Sequence, residues 1–287
     1  MAAPTLAAGQ YDGQTRVLQA ANNLLGQFFN ALAGPDNVHN GQQDLASLFF
    51  QAGAPAGYTV TQPQMLRDLS PIQFSGQPTQ MWDRYVIIAH AVNFNTKGSY
   101  IGISTTRYNL AGEAGQCISW LNVNDSQTSG MYADLPWVGM SGNALLIAAN
   151  LYSFNDNSFQ YAKMWMIPKT AVYNDPSSGT CPAFSASTLV LNMPNSDGSL
   201  PFSVIPAKSY DTAPTAYMVN SLLNGGSALT VWQLDTTDPT NITGSYGTVS
   251  TNPYSAPPNA EQPGRSALII TWDTRLFNAV YQPGSGL

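Results

Sequence analysis

"YADLPWVGMSGNALLIAANLYSF", residues 132–154, joins an Asp-x-Pro, a tryptophan, a Gly-containing turn and a long apolar run in one short stretch. Read alone it is a β-hairpin. Read against the rest of the chain it is one unit of a repeat. With Pro136 as a marker, comparable starts stand at Pro71 in "SPIQFSG", Pro206 in "SVIPAKSY" and Arg275 in "DTRLFNAVY", at spacings of 65, 70 and 69 residues. A fixed period of this kind is the signature of a repeat architecture.

The phase within each unit holds as well. A second apolar strand follows each marker, as "RYVIIAHAV", "ALLIAANLY" and "TAYMVNSLL", and then a third, as "SYIGISTTRY", "YAKMWMIPK" and "ALTVWQLDTT". A fourth is read in "QCISWLNV", "ASTLVLNM" and "YGTVSTN". Clusters of Gly, Asn, Asp, Ser and Pro separate them, as turn chemistry requires. Inner strands that are apolar almost throughout are buried on both faces. The expected fold is therefore all-β and β-propeller-like, with about 70 residues per four-stranded blade. Blades are expected over 70–135, 136–205 and 206–274, with a partial unit at 275–287. The rival architecture, an irregular β-sandwich, gives strands no reason to recur in phase.

Residues 1–69 read differently, as a short helical and loop segment preceding the repeats at 70–287. In "QTRVLQAANNLLGQFFNALAG", Val17, Ala21, Leu24, Leu25, Phe28, Phe29 and Leu32 share one helical face, and Gly34-Pro35 ends it. Its polar face carries Gln and Asn in place of Lys, which favours a cap on the propeller over a membrane-surface helix. "QAGAPAGYTVTQPQ" reads as a connecting loop.

Composition restricts the partners. Charged residues make up only 9% of the 287 residues, against about a quarter in an average protein. Amides and hydroxyls take their place, as in secreted and carbohydrate-facing proteins and in buried assembly subunits. The net charge is −6, and the lysines and arginines are scattered. A nucleic-acid partner needs a basic stripe to displace counterions, and an anionic membrane surface needs the same. Neither partner is expected. No apolar run approaches the roughly 20 residues of a membrane span. "MAAPTLAAGQ" has no charged region followed by an apolar one, so it does not read as a signal peptide.

Two cysteines and two histidines cannot supply a zinc cage, and no metal or cofactor is expected. Cys117 and Cys181 lie 64 residues apart, at similar phases of neighbouring units. A disulfide between them is expected on the outer parts of adjacent blades, in place of two buried thiols. On the chain-entropy model a loop of that length stabilises the fold by about 4 kcal/mol. Asn124 in "NDS" and Asn241 in "NIT" are N-glycosylation sequons.

Several of these stretches resemble a loosely defined group of secreted bacterial β-propeller-like proteins, mostly without assigned function. The resemblance is carried by "ADLPWVGMSGNALLIAANLYSF", "FQYAKMWMIPKTAVY", "VIPAKSYDTAPTAYMVNSLLNGGSALTVWQL" and "RLFNAVYQPGSGL", in that order, over about residues 84–287. It implies fold and export to the extracellular space. It carries no catalytic residues.

The chemistry-bearing residues are few. Sialidase-type propellers use an arginine cluster, and of Arg16, Arg67, Arg84, Arg107 and Arg275 only Arg84 and Arg275 lie near inner strands. Arg275 with Asp273 reads either as a carboxylate grip at the channel mouth or as a structural ion pair. "NSDGSLPF" matches the sialidase rim loop only in Ser196, Asp197 and Gly198 and lacks its Trp. Asp134 and Asp273 share a position before an inner strand, and Asp83 a comparable one. They could bind a cation or sugar hydroxyls, although such aspartates more often cap the turn through backbone N–H groups. A glycosidase needs two carboxylates, yet the only glutamates, Glu113 and Glu261, lie in loop-like stretches. His90 within "VIIAHAV" reads as a core or channel histidine. Trp137, beside Asp134, is the aromatic best placed for a sugar.

The ligand-binding candidates are thus Asp134, Trp137, Asp273, Arg275 and His90, with no catalytic residue assigned. The expected function is a secreted binding or structural module for which a glycan or another protein subunit is the partner. Two alternatives stay open: a propeller glycoside hydrolase or lyase, and a subunit of an extracellular or viral assembly.

Overall fold

The computed structural model describes residues 50–51, 53–68, 71–72, 80–81, 84–107, 118–124, 130–173, 184–261, 271 and 273–282. The chain is predominantly strand, as the turn-rich composition requires. Three four-stranded antiparallel units recur in it.

The first sheet contains β1 (Thr59–Asp68), β4 (Arg84–Asn93), β5 (Gly98–Arg107) and β6 (Ile118–Asn122), paired in that order. Between β1 and β4, the two-residue strands β2 (Pro71–Ile72) and β3 (Gln80–Met81) pair only with each other. The second sheet runs through β7 (Met131–Met140), β8 (Ala144–Ser153), β9 (Phe159–Pro168) and β10 (Ser187–Leu191), with a short helix α1 (Lys169–Val172) after β9. The third has β11 (Ile205–Pro206), β13 (Thr215–Ser221), β14 (Gly226–Asp235) and β15 (Thr243–Tyr254). Two short strands, β12 (Lys208–Ser209) and β16 (Val280–Tyr281), extend the second sheet beyond β7 with parallel pairing.

This corrects two sequence expectations. The first unit does not open at Pro71, because Thr59–Asp68, assigned there to the helical and loop segment before the repeats, supplies its first strand. "TVTQPQML" has a broken apolar alternation that hides it, and the register shift between Thr61 and Gln64 shows why. The final partial unit does not begin a further sheet, for β16 joins the second one. The expected N-terminal helix and the Cys117–Cys181 bond lie outside the described residues.

The sheets stack face to face. Leu66, Val86, Ile88, Ile101 and Ile103 of the first sheet share a core with Leu145, Ile147, Trp165 and Ile167 of the second. The other face of the second sheet, with Leu146, Met164 and Met166, packs on Ala216, Met218, Trp232 and Leu234 of the third. The outer face of the first sheet (Ile87, Ala89, Ala91) is covered by Phe50. Residues 144–151 of β8 are therefore buried without a break, which explains an apolar run that has no alternation. β13 alternates between buried and half-buried residues, because among the described residues only one face of the third sheet joins an apolar core.

Polar ties cross the stack at one end. The Lys169 ammonium meets the Asp68 carboxylate at 2.7 Å, both side chains 1% exposed, and the Tyr173 hydroxyl donates to the same Asp68 oxygen at 2.6 Å. Between the second and third sheets, the hydroxyls of Ser141 and Thr236 lie 2.9 Å apart and the Asn143 amide donates to the Thr236 carbonyl at 2.8 Å. A Cβ on Gly139 would stand 2.5 Å from the carbonyl oxygens of Pro206 and Ala207, so only glycine lets β7 approach this close.

Candidate functional site

Pro136 cannot donate a ladder hydrogen bond, and strands tolerate proline at bulges. The pairing of β7 with β8 runs Asp134↔Asn150 and resumes at Trp137↔Ala148, leaving Leu135 and Pro136 as the irregularity. Leu135 takes a φ of 49°, in the left-handed region that a branched side chain seldom enters. Ala133 and Val138 are five positions apart and would face opposite ways on a regular strand. The bulge lets both enter the same core and directs Asp134 and Trp137 away from it.

Tyr152 stands opposite Tyr132 in the ladder, the rings stacked at 5.8 Å. Burial raises the Tyr152 hydroxyl pKa; the Asp134 carboxylate raises it further, Arg275 opposes, and Asp273 adds to the rise. Three of the residues picked from sequence thus act on one hydroxyl. Tyr132 is raised in the same way, by burial and by Asp134.

Arg275 is held in place from several directions. Its Nε and its backbone N–H both donate to Asp273 Oδ1 at 2.9 Å. Its guanidinium lies 5.2 Å over the Phe202 ring, a cation–π geometry. Thr274 between them is tied to the third sheet: the Ser221 hydroxyl donates to its carbonyl and its own hydroxyl donates to the Leu222 carbonyl. Asp273 and Arg275 therefore form the structural pair that the sequence allowed. That pair also borders a surface.

The surface carries a row of aromatic rings, most of them half-buried, with Tyr132 only 8% exposed. Phe94 lies 5.3 Å from Tyr132 and 5.6 Å from Phe154, and Tyr132 leads on to Tyr152. Phe159 follows at 5.8 Å and Phe202 at 5.0 Å, next to Arg275. Phe94 at the open end is 59% exposed. The row begins at the β4–β5 turn, crosses one end of the second sheet and finishes on the loop before β11.

Trp137 and His90 adjoin the row without forming it. Phe277, 62% exposed, rests edge-on against Trp137 at 6.1 Å. The Trp137 indole nitrogen is buried with no hydrogen-bond partner among the described residues. His90 lies beneath Tyr132, rings 6.3 Å apart and nearly parallel, with Nε2 3.3 Å from the Ser99 hydroxyl oxygen. That oxygen accepts the Ala133 N–H at 3.1 Å. Burial lowers the His90 pKa to about 4, so the ring is neutral at neutral pH. It supports Tyr132 from the core.

Other residues singled out from sequence fall apart from this surface. Asp197 accepts the Ser199 N–H and hydroxyl at 2.9 and 2.6 Å, a local turn with Gly198 at φ +82°. Glu261 is exposed in a loop. Of the sequons, Asn241 is exposed, whereas the half-buried Asn124 amide donates to the Lys97 carbonyl at 2.6 Å. Asp83, Glu113, Cys117, Cys181 and the side chains of Arg16, Arg67, Arg84 and Arg107 lie outside the described residues. Among the described residues no group of His, Cys, Asp or Glu is arranged to hold a metal ion, and no helix is long and apolar enough to cross a membrane.

Residue type does not single out Tyr132, Tyr152 and Phe159, because strand aromatics are packing residues by default, nor Phe202, which lies in the loop before β11. One signal is present: Phe94 in "NFN" and Phe154 in "SFN" each stand just past the second strand of their unit. Compared with known protein families, curated proteins and solved structures, the chain matches none.

Proposed function

We propose that this chain is an exported β-propeller-like binding module whose ligand is a glycan, bound along the aromatic row that ends at Asp134 and Arg275. The observation that carries this reading is the continuous series of rings from Phe94 to Phe202, which ends against the Arg275 guanidinium. Aromatic faces stack on the apolar faces of sugars, while carboxylates and a guanidinium bond hydroxyls and fix orientation. The three stacked sheets would be successive blades. In support, each four-stranded meander has its earliest strand at one edge, β1, β7 and β11, and β1 and β11 both lie against β7.

A second reading, a subunit of an extracellular assembly, is favoured by the half-buried Val219, Leu229 and Val231 on the outer face of the third sheet. The described residues give the hydrolase alternative no comparable support: Asp273 is engaged by Arg275.

Affinity electrophoresis through gels containing polysaccharides of varied backbone tests the proposal. The wild-type chain is expected to be retarded by at least one of them, and Tyr152→Ala and Arg275→Ala to migrate freely while remaining folded by circular dichroism. A folded wild-type chain that none of the gels retards would overturn the glycan reading and leave the assembly reading, which sedimentation then examines.

A further inference from the structure

Ring stacking accepts charged and uncharged sugars alike, so the groups beside the row decide between them. Among the described residues, two carboxylates and one guanidinium act on the Tyr152 hydroxyl: Asp134 and Asp273 against Arg275. The cation is already engaged. Its Nε is bonded to Asp273 at 2.9 Å and its face rests on Phe202.

An anionic sugar is best gripped by a guanidinium that offers two parallel N–H groups. Here a carboxylate or sulfate bonded to Arg275 would have to lie beside the Asp273 carboxylate that already holds its Nε. The side chains of Arg275 and Asp273 are only 14% and 26% exposed, so salt screens them less than it would surface charges. The net charge of −6 adds a repulsive long-range field. Uncharged hydroxyls meet none of these costs, and they donate to the carboxylate oxygens.

Resting on the glycan reading above, we propose that this site takes uncharged, hydroxyl-rich saccharides and rejects carboxylated or sulfated ones. The site would thus discriminate by charge at one end of the row and tolerate variation in ring stereochemistry along it.

The test is isothermal titration with length-matched oligosaccharides: neutral glucan, xylan and mannan, and polyuronate and sulfated counterparts. Measurements are made at low ionic strength and again at about 1 M salt, where the Debye length falls to about 3 Å. At low salt the best neutral probe should bind at least about tenfold more tightly than its anionic counterpart, a free-energy difference that calorimetry resolves. The gap should narrow at high salt, and Asp134→Asn should narrow it at low salt. An anionic probe that binds as tightly as the neutral one, or a gap that Asp134→Asn leaves unchanged in a folded variant, overturns the charge assignment while the glycan reading stands. If the folded wild-type chain binds no probe of either class, the glycan reading itself fails and this assignment with it.

Discussion

Protonation of His90 should cost this protein a measurable share of its stability. The ring is 3% exposed, between the first and second sheets, and its pKa is lowered from 6.5 to about 4 by burial. In the unfolded chain it titrates near its ordinary value. Above pH 6.5 both states are neutral and the full stability is present. As pH falls, the unfolded state takes up its proton first and is favoured; the loss accumulates between 6.5 and 4 and levels off below. Each pKa unit corresponds to about 1.36 kcal/mol, so this depression amounts to about 3 kcal/mol at pH values below 4. That is a large part of a typical net stability of about 5–15 kcal/mol. The assay is urea denaturation at steps from pH 7 to pH 4, with the wild type compared with His90→Gln. Gln keeps a polar group within reach of the Ser99 hydroxyl and does not titrate. The carboxylates of Asp156, Asp197, Asp235 and Asp238 are held below their ordinary pKa by bonds from neighbouring hydroxyls and N–H groups, so they contribute an acid loss common to both proteins. The difference between the two curves isolates His90: wild type should lose about 3 kcal/mol more than the variant over this range. Parallel curves would show that His90 is no more buried in the folded chain than in the unfolded one, and would refute the placement of Tyr132 above it.

Two further outcomes follow from the packing. Asp68→Asn leaves the Lys169 ammonium buried without its carboxylate and should lower stability by about 3–5 kcal/mol, whereas the pair Asp68→Leu with Lys169→Met should recover most of that loss. A single variant within about 1 kcal/mol of wild type in denaturant titration would count against a desolvated pair. Gly139→Ala forces a Cβ into the carbonyl oxygens of Pro206 and Ala207 and should cost about 1–3 kcal/mol by overpacking. Hydrogen exchange locates the damage: the Met140 amide, bonded to the Ala207 carbonyl at 3.0 Å, should lose protection, and unchanged protection would contradict the close approach of β7.

The repeat of strands and turns was legible from residue order because its causes are local. Apolar runs of strand length, punctuated by Gly, Asn, Asp and Pro, recur in phase at Arg84–Asn93, Ala144–Ser153 and Thr215–Ser221, and these are the second strands of the three sheets. The unbroken burial of β8 was also foreseeable, since a strand without alternation must be covered on both faces. Pairing was less accessible. Whether β4 takes Thr59–Asp68 or Pro71–Ile72 as its neighbour depends on which segment completes the ladder, and the bulge in β1 blurs the alternation that would have marked it. The same holds for β12, which leaves the third unit's first strand to pair with β7. Asp134, Asp273 and Arg275 could be named individually by residue type and by their place before an inner strand. Their shared electrostatic influence on the Tyr152 hydroxyl could not, because it depends on the bulge at Leu135 re-aiming one strand and on Thr274 anchoring a segment far along the chain. Tyr132, Phe159 and Phe202 differ from ordinary packing aromatics only in lying where two sheets end together. That position is set by long-range stacking, which no local pattern encodes.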